Sequence, residues 1–375
     1  MRPEAVAAME PFLADVFGNP SGGHGAARAA KTALEVAREE VADAMGGQPA
    51  EVVFTAGGTE SDNLAVLGAA RAARAAGRGD GVVTTAFEHK GVLAPCDRLL
   101  REGFRVHRSA VTRAGIIDLA TLAEALDERT VVVSVMLVNN EVGTVQPLAE
   151  VVSLVRERAP EAVVHTDAVQ SVPWLEVSTA TAGTDLVTIS AHKFGGPKGT
   201  GVLLVRGGVQ IEPLIEGGGQ ERGLRAGTVN VAGAVAMAAA LRITRERRDV
   251  ERTRVARLRD RLVTGIVASV PDCFFNGDRA RKVEGSCHVG FPGVEAETLL
   301  LALDQHGVMA AAGSSCSSGA TEPSHVLQAM GMPREDALSS IRLSLGYAST
   351  DADIDRALEV LPRAVEQLRA VPAAS

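Results

Sequence analysis

Two polar groups that each close a short apolar run could do chemistry together. Asp167 follows Ala162-Val163-Val164-His165-Thr166, and Lys193 closes Ser190-Ala191-His192-Lys193 after the run Leu186 to Ile189. A lysine at the mouth of a strand can have its ammonium desolvated, lose its proton and act as a nucleophile. A lysine to bond a carbonyl group and an aspartate to pair with a pyridinium nitrogen are what pyridoxal phosphate most needs from a protein. Each residue alone also has a plainer reading. Lys193 stands before the turn Gly195-Gly196-Pro197-Lys198-Gly199 and could be a solvated loop lysine, and Asp167 could be an N-cap or turn aspartate.

Two further residues attract notice by their surroundings. Cys316 lies in AAAGSSCSSGATEPSHVL, a stretch of small residues with no apolar periodicity. Free cysteines are usually buried, so a cysteine in an exposed, flexible loop reads as a candidate nucleophile. Arg342 stands in SSIRLSLG, an alternation that reads as a strand; pointing inward it would need a carboxylate, and pointing outward it would be a surface arginine.

The elements that must position these groups alternate along the chain. EVVFTAGGTESDNLAVLGAARAA reads as strand (Val52-Val53-Phe54), tight turn (Ala56-Gly57-Gly58) and helix from Thr59. Free N–H groups and the helix dipole can hold a phosphate there, and Thr59 can add its hydroxyl. Strands at Val82 to Ala86, Phe104 to His107 and Val131 to Val138 precede helices at 91–102, 119–126 and 148–158. Strand–helix alternation with continuous apolar strands implies an α/β fold, a mainly parallel sheet covered on both faces. Ligands of such sheets bind beyond the carboxyl ends of the strands. Glu88-His89, Asn139-Asn140-Glu141, Asp167 to Gln170 and Ser190 to Lys193 all fall at such ends. Residues 201–205 read as an antiparallel return strand, and 217–230 as a glycine-rich charged loop. A long helix spans about 231–267, and a change of domain is expected near 250. The expected division is a large domain over 1–250 and a smaller α+β domain over 251–375 that carries the cysteine loop.

Composition narrows the function classes. The 375 residues are 46% hydrophobic and 22% charged, as in ordinary globular proteins. A net charge of −8 and the lack of any Lys/Arg cluster interleaved with aromatics argue against nucleic acid as a partner. RERRDVERTRVARLRDR at 245–261 mixes its signs and reads as a solvated helix face. The four cysteines (Cys96, Cys273, Cys287, Cys316) form no CxxC pair, so neither a zinc site nor a disulfide framework is expected. Cys96 and Cys287 sit in apolar or strand contexts and are expected to be inert. The first residues lack the apolar core of a signal peptide, and the longest uncharged apolar run, Val231 to Leu241, is too short to span a bilayer. A soluble, cytoplasmic protein with no membrane partner is expected.

Taken together, the motifs resemble the cysteine desulfurases, pyridoxal-phosphate enzymes of the class V aminotransferase type. The resemblance runs in family order through FGNPSGGH, EVVFTAGGTESDNLA, EHKGVL, VNNEVGTVQP, HTDAVQS, SAHKFGGPKGTG, GGGQERGLRAGT, GSSCSSG and SIRLSLG, nearly the whole chain. The cysteine loop followed by EPSHVL is similar to the longer-loop subgroup, which supplies iron–sulfur clusters and tRNA thiolation. The resemblance implies the type I fold of pyridoxal-phosphate transferases and a role for each matched residue. Lys193 would bond the cofactor covalently, Asp167 would pair with its pyridine nitrogen, and His89 would stack on its ring. Gln170 would bond the phenolic oxygen, with Asn140 close to that oxygen and to the substrate. Gly58, Thr59, Ser190 and His192 would hold the phosphate, helped by Thr228 from a partner subunit of a homodimer. Arg342 would take the carboxylate of L-cysteine. Cys316 would accept the sulfur as a persulfide and pass it to an acceptor protein, with L-alanine as the other product.

Family members usually open with a segment of the Asp-Asn-Ala-Ala-Thr-Thr-Pro kind that borders the site. This chain starts at Met1-Arg2-Pro3-Glu4, about where that segment would end. Either the start lies further upstream or that wall is missing, which would put substrate binding in question. Gly57-Gly58-Thr59 stands where the family more often has Gly-Ala-Thr, a change expected to be harmless. A related enzyme of the same fold, such as a selenocysteine lyase, an aminotransferase or a β-lyase, would not require Cys316. A catalytically silent scaffold for sulfur acceptors is the alternative from another class, and the intact Lys193, Asp167, His89 and Cys316 set argues against it.

Overall fold

The computed structural model describes residues 1–313 and 322–370. Its contacts separate two units, one of residues 1–109, 118–138 and 146–248, the other of 110–117, 139–145 and 249 onward. The second unit therefore takes in two short segments from earlier in the chain as well as the C-terminal part.

The first unit is built on a seven-stranded sheet. Its strands are β1 (Val52–Thr55), β2 (Gly81–Thr85), β3 (Arg105–Ser109), β4 (Thr130–Ser134), β5 (Val163–Asp167), β6 (Leu186–Ser190) and β7 (Gly201–Val205). They lie in the order β1-β7-β6-β5-β4-β2-β3. The pairs from β6 to β3 are parallel, and β7 runs antiparallel to both β1 and β6. Every residue of β1, β2, β4, β5, β6 and β7 is buried. This is why these strands read as unbroken apolar runs: a parallel sheet covered on both faces has no solvent side to alternate with. The edge strand β3 differs, with exposed Arg105, His107 and Arg108, charges that discourage pairing with another chain.

The core of this unit joins Val53, Val82, Val132, Leu186 and Leu203 of the sheet to Leu64, Ala69, Val92 and Leu99 of the helices. Helix Gly25–Met45 is capped by His24, whose Nδ1 accepts from Ala27 N, and stops at Gly46 in a left-handed conformation (φ 66°). The apolar run 131–138 is a strand only to Ser134. Beyond it Val135 N and Leu137 N still donate to the carbonyls of His165 and Asp167. The chain then turns where the Asn139 side chain accepts from Glu141 N and Val142 N.

The second unit contains an antiparallel sheet, β10-β9-β8, of β8 (Phe274–Phe275), β9 (Ser286–Gly290) and β10 (Ser340–Ser344). Helices Ala296–Asp304 and Asp351–Ala370 accompany it. The 39-residue helix Val231–Ser269 contains the point of division at 248/249. Its charged stretch is solvated and laced with ion pairs such as Arg252–Glu284 and Arg257–Asp351. Among the described residues no helix is long and apolar enough to cross a membrane.

Candidate active site

Three of the four polar clusters at strand ends meet in the first unit. β5 ends on Asp167 and β6 on Ser190, and Thr188 of β6 is the register partner of Asp167. Just past β2, His89 caps helix Lys90–Arg101, its Nδ1 accepting from Gly91 N at 3.0 Å. That bond fixes the imidazole ring relative to the helix. One ligating atom each of Asp62, His89 and Asp167 lies within 4.8 Å of the others. Asp167 is 5% exposed, and its Oδ1 accepts from Val169 N at 2.9 Å. Burial raises its pKa, and that hydrogen bond with the nearby His89 and Lys193 offsets only part of the rise.

Beside this cluster lies a cavity of about 500 Å³, lined by Ala56, Gly57, Gly58, Thr59, Glu60, Ser190, His192, Lys198 and Gly199. Its floor is the turn from β1 into the helical run 58–75, whose middle, Leu64–Gly68, is a π-helical turn. Gly57 has φ +146°, which favours glycine. At Gly58 a Cβ would come within 2.9 Å of Val169 Cγ2, which would have to shift, and into ordinary contact, 3.5 Å, with Ser190 Cβ. The Ser190 hydroxyl and His192 Nδ1 are 3.0 Å apart. Partial burial and the Lys193 and Lys198 ammonium groups lower the His192 pKa. A glycine cradle at a helix start, two hydroxyls, an imidazole and a lysine form a donor set for a phosphate. A buried carboxyl stands at the next strand end. These residues fit a phosphorylated pyridine cofactor at both its ends.

Lys193 lies on the 3₁₀ turn Ala191–Lys193 that follows β6. It is exposed in the chain alone rather than desolvated as expected, yet near enough to act on the buried Asp167 carboxyl. Gln170 is half-buried just past Asp167, and Thr59 and Thr228 are exposed. Asn140 and Arg342 belong to the second unit. There Arg342 is half-buried on β10, and its Nη1 donates to the Asn140 carbonyl at 2.7 Å. Cys316 lies outside the described residues. Cys96 and Cys287 are buried, and burial pushes their thiols up to about 12 and about 11, as their apolar contexts suggest for inert cysteines.

Several buried polar groups gave little sign of themselves in the sequence. Asp62, inside TESDN on the helix expected from Thr59, is not singled out by the sequence, and it is 1% exposed. His165, in the middle of β5, is fully buried with Nδ1 2.8 Å from Ser134 Oγ and Nε2 3.0 Å from Thr188 Oγ1. Burial lowers its pKa to about 3, so the ring is neutral. Glu88 accepts from Thr85 Oγ1 and Met136 N, and burial raises its pKa to about 8. A polar residue inside an apolar run was the only available signal for His165. Asp62 becomes visible only once the helix is seen packed against the sheet.

The family model for class-V aminotransferases matches residues 1–357. The chain is 42% identical, over 99% of its length and 93% of the relative's, to a protein named cysteine desulfurase IscS from Dictyoglomus turgidum. Among solved structures, a NifS-like protein superposes with a TM-score of 0.92 at 35% identity, covering 98% of this chain and 96% of that one. A protein titled SspA in complex with cysteine does so with a TM-score of 0.81 at 31% identity, covering 93% and 97%. The chain belongs to the cysteine desulfurase family of class-V aminotransferases. Its fold is that of the pyridoxal-phosphate-dependent NifS-like proteins, and pyridoxal phosphate is the family's cofactor.

Proposed function

We propose that this chain converts L-cysteine to L-alanine, with Lys193 bonding pyridoxal phosphate and Asp167 facing its pyridine nitrogen. The observation that carries this reading is the meeting of Asp167, at the end of β5, with His89, just past β2, while Lys193 directly follows His192 of the Gly57-Gly58-Thr59 cavity. His89 covers the ring, held by its bond from Gly91 N. Gln170 serves the phenolic oxygen. Gly58, Thr59, Ser190 and His192 hold the phosphate, joined by Thr228 of the partner subunit. Asn140 and Arg342 receive the substrate. Among the described residues Arg342 Nε has no hydrogen-bond partner, which suits a guanidinium meant for a carboxylate.

When bound, the cofactor supplies an electron sink for the substrate's α-carbon. The protein's residues do the rest. Asp167, as a carboxylate, keeps a proton on the ring nitrogen, and Lys193 moves the proton at the α-carbon. Cys316, as a thiolate, attacks the substrate sulfur: an S–S bond forms, the Cβ–S bond breaks, and alanine leaves. The persulfide then passes to an acceptor protein of iron–sulfur cluster assembly or of tRNA or cofactor thiolation, as the cysteine loop followed by EPSHVL suggests. We infer a homodimer, supported by apolar side chains exposed along the N-terminal segment, and a cytoplasmic location, supported by buried, unpaired thiols.

The test is the release of alanine and sulfide from L-cysteine with pyridoxal phosphate and a thiol reductant present. Equimolar products are expected. Alanine without sulfide, or no turnover by protein that has bound the cofactor, would overturn the reading.

A further inference from the structure

Asp62 has no place in the roles above, yet it lies against two residues that do. It is 1% exposed, and one of its carboxyl oxygens is within 4.8 Å of atoms of His89 and Asp167. A Cβ at Gly91 would fall 2.7 Å from Asp62 Oδ2 and 3.0 Å from His89 Nδ1, so Asp62 packs directly against the turn that carries His89. On its other side Oδ1 is 3.7 Å from His165 Nε2 and, among the described residues, accepts no hydrogen bond. His165 brings no positive charge, since both ring nitrogens face hydroxyls in a fully buried setting. The Thr188 hydroxyl, 3.0 Å from His165 Nε2, favours the ionised form of Asp62 and offsets only part of the opposing effect of burial.

The charges around the two aspartates are opposite. At neutral pH the charge reaching Asp62 is the carboxylate of Asp167, Glu88 beside it being held neutral, whereas Asp167 is reached by His89 and Lys193 and also accepts from a backbone N–H. Two carboxyls sharing a dry site do not both ionise, and the one with acidic neighbours keeps the proton. Burial and these neighbours push the Asp62 pKa well above the carboxylate range.

We propose that Asp62 is a protonated, neutral carboxylic acid and a positioning residue that holds Asp167 and the His89 turn in place. Asp167 is thereby left as the carboxylate matched to one pyridinium charge. The proposal rests on the reading of Asp167 given above. An ionised Asp62 would put a second negative charge behind Asp167 and hold a proton on it; a neutral Asp62 supports the pocket without competing for the cofactor's charge.

Infrared difference spectroscopy tests this directly. The sample is the pyridoxal-phosphate-loaded protein at neutral pH in a Glu88→Gln background, which removes the band of that second buried acid. The expected result is a protonated-carboxyl C=O band that disappears in Asp62→Asn. In the Asp62-containing protein the same band shifts on ¹³C-aspartate labelling, so the assignment does not depend on the folding of a variant. Asp62→Asn, isosteric and neutral, should keep the affinity for pyridoxal phosphate within about threefold. Absence of the band, or its survival in Asp62→Asn, overturns the neutral acid. A pyridoxal phosphate affinity that Asp167→Asn leaves unchanged instead overturns the reading of Asp167, and the positioning role with it, whatever the infrared band shows.

Discussion

A lysine and a cysteine carry separable duties in this reading, and single substitutions separate them. Lys193→Ala removes the covalent anchor, so the yellow absorbance of the bound cofactor and turnover should both be lost, turnover by a factor of about 10² or more. Cys316→Ala should keep the absorbance and lose sulfur transfer. Absorption spectra and persulfide assays on the two variants check this, and persulfide formation by Cys316→Ala would remove the nucleophile assignment. The buried acid Glu88 gives a prediction of another kind. Folded, it keeps its proton up to about pH 8; unfolded, it loses it near its ordinary 4.5. Its contribution to stability is therefore fully present below the unfolded pKa and is lost as pH rises toward 8. Within that window the loss is about 1.4 kcal/mol per pH unit. Glu88→Gln keeps an acceptor for Thr85 and Met136 but has no such proton. Its stability should gain on that of the native chain by that amount per unit in urea unfolding between about pH 5 and pH 8. Equal pH slopes for the two proteins would mean that Glu88 is not held neutral.

At the scale of elements, the glycine-rich loop 217–230 is held by an interaction that the sequence does not announce. Glu221 is 6% exposed, and its carboxylate accepts from both Nη atoms of Arg38 and from Phe54 N. Glu221 and Arg222 both take positive φ, 46° and 57°, conformations that cost non-glycine residues on the order of 1–3 kcal/mol each. The buried pair offsets that cost and ties the base of the Thr228 loop to helix Gly25–Met45 and β1. Glu221→Ala would leave the Arg38 guanidinium buried without its carboxylate. The expected destabilisation is about 3–5 kcal/mol, measured by urea unfolding, with proteolysis of the loop appearing first. A loss below about 1 kcal/mol would show that the loop is held otherwise. The loop's composition marked it as irregular. The pair that shapes it joins residues 183 positions apart and has no local signal. The strands were legible for the opposite reason: β5 and β6 each open on apolar residues and close on a polar one, and burial on both faces writes most of that pattern into the sequence. Asp62 and His165 escaped because a period-based reading detects apolar faces and by default sends a polar residue to the solvent side.

For the whole molecule the site is incomplete in one copy of the chain if Thr228 serves a partner's phosphate. Large apolar side chains are exposed along the first residues, Leu13 at 57% and Phe17 at 81%. A pocket that includes Ala8 of this segment is lined mainly by apolar residues, among them Val36, Ala37, Val235 and Ala238, together with Glu40 and Arg242. A monomer keeps such surface wet at a cost of roughly 25 cal/mol per Å², and association removes it. Leu13→Asp together with Phe17→Asp changes none of the residues assigned to the site. If this surface is the dimer contact, the double variant should sediment as a monomer at concentrations where the native chain is a dimer. Its affinity for pyridoxal phosphate should also fall, by about 10-fold or more, because the donor set loses the partner's hydroxyl. The two readouts are linked by mass action: raising the protein concentration should restore the dimer and the affinity together. A monomeric variant that binds the cofactor as tightly as the native chain would mean that each chain completes its own phosphate site, and Thr228 would lose its role across the dimer.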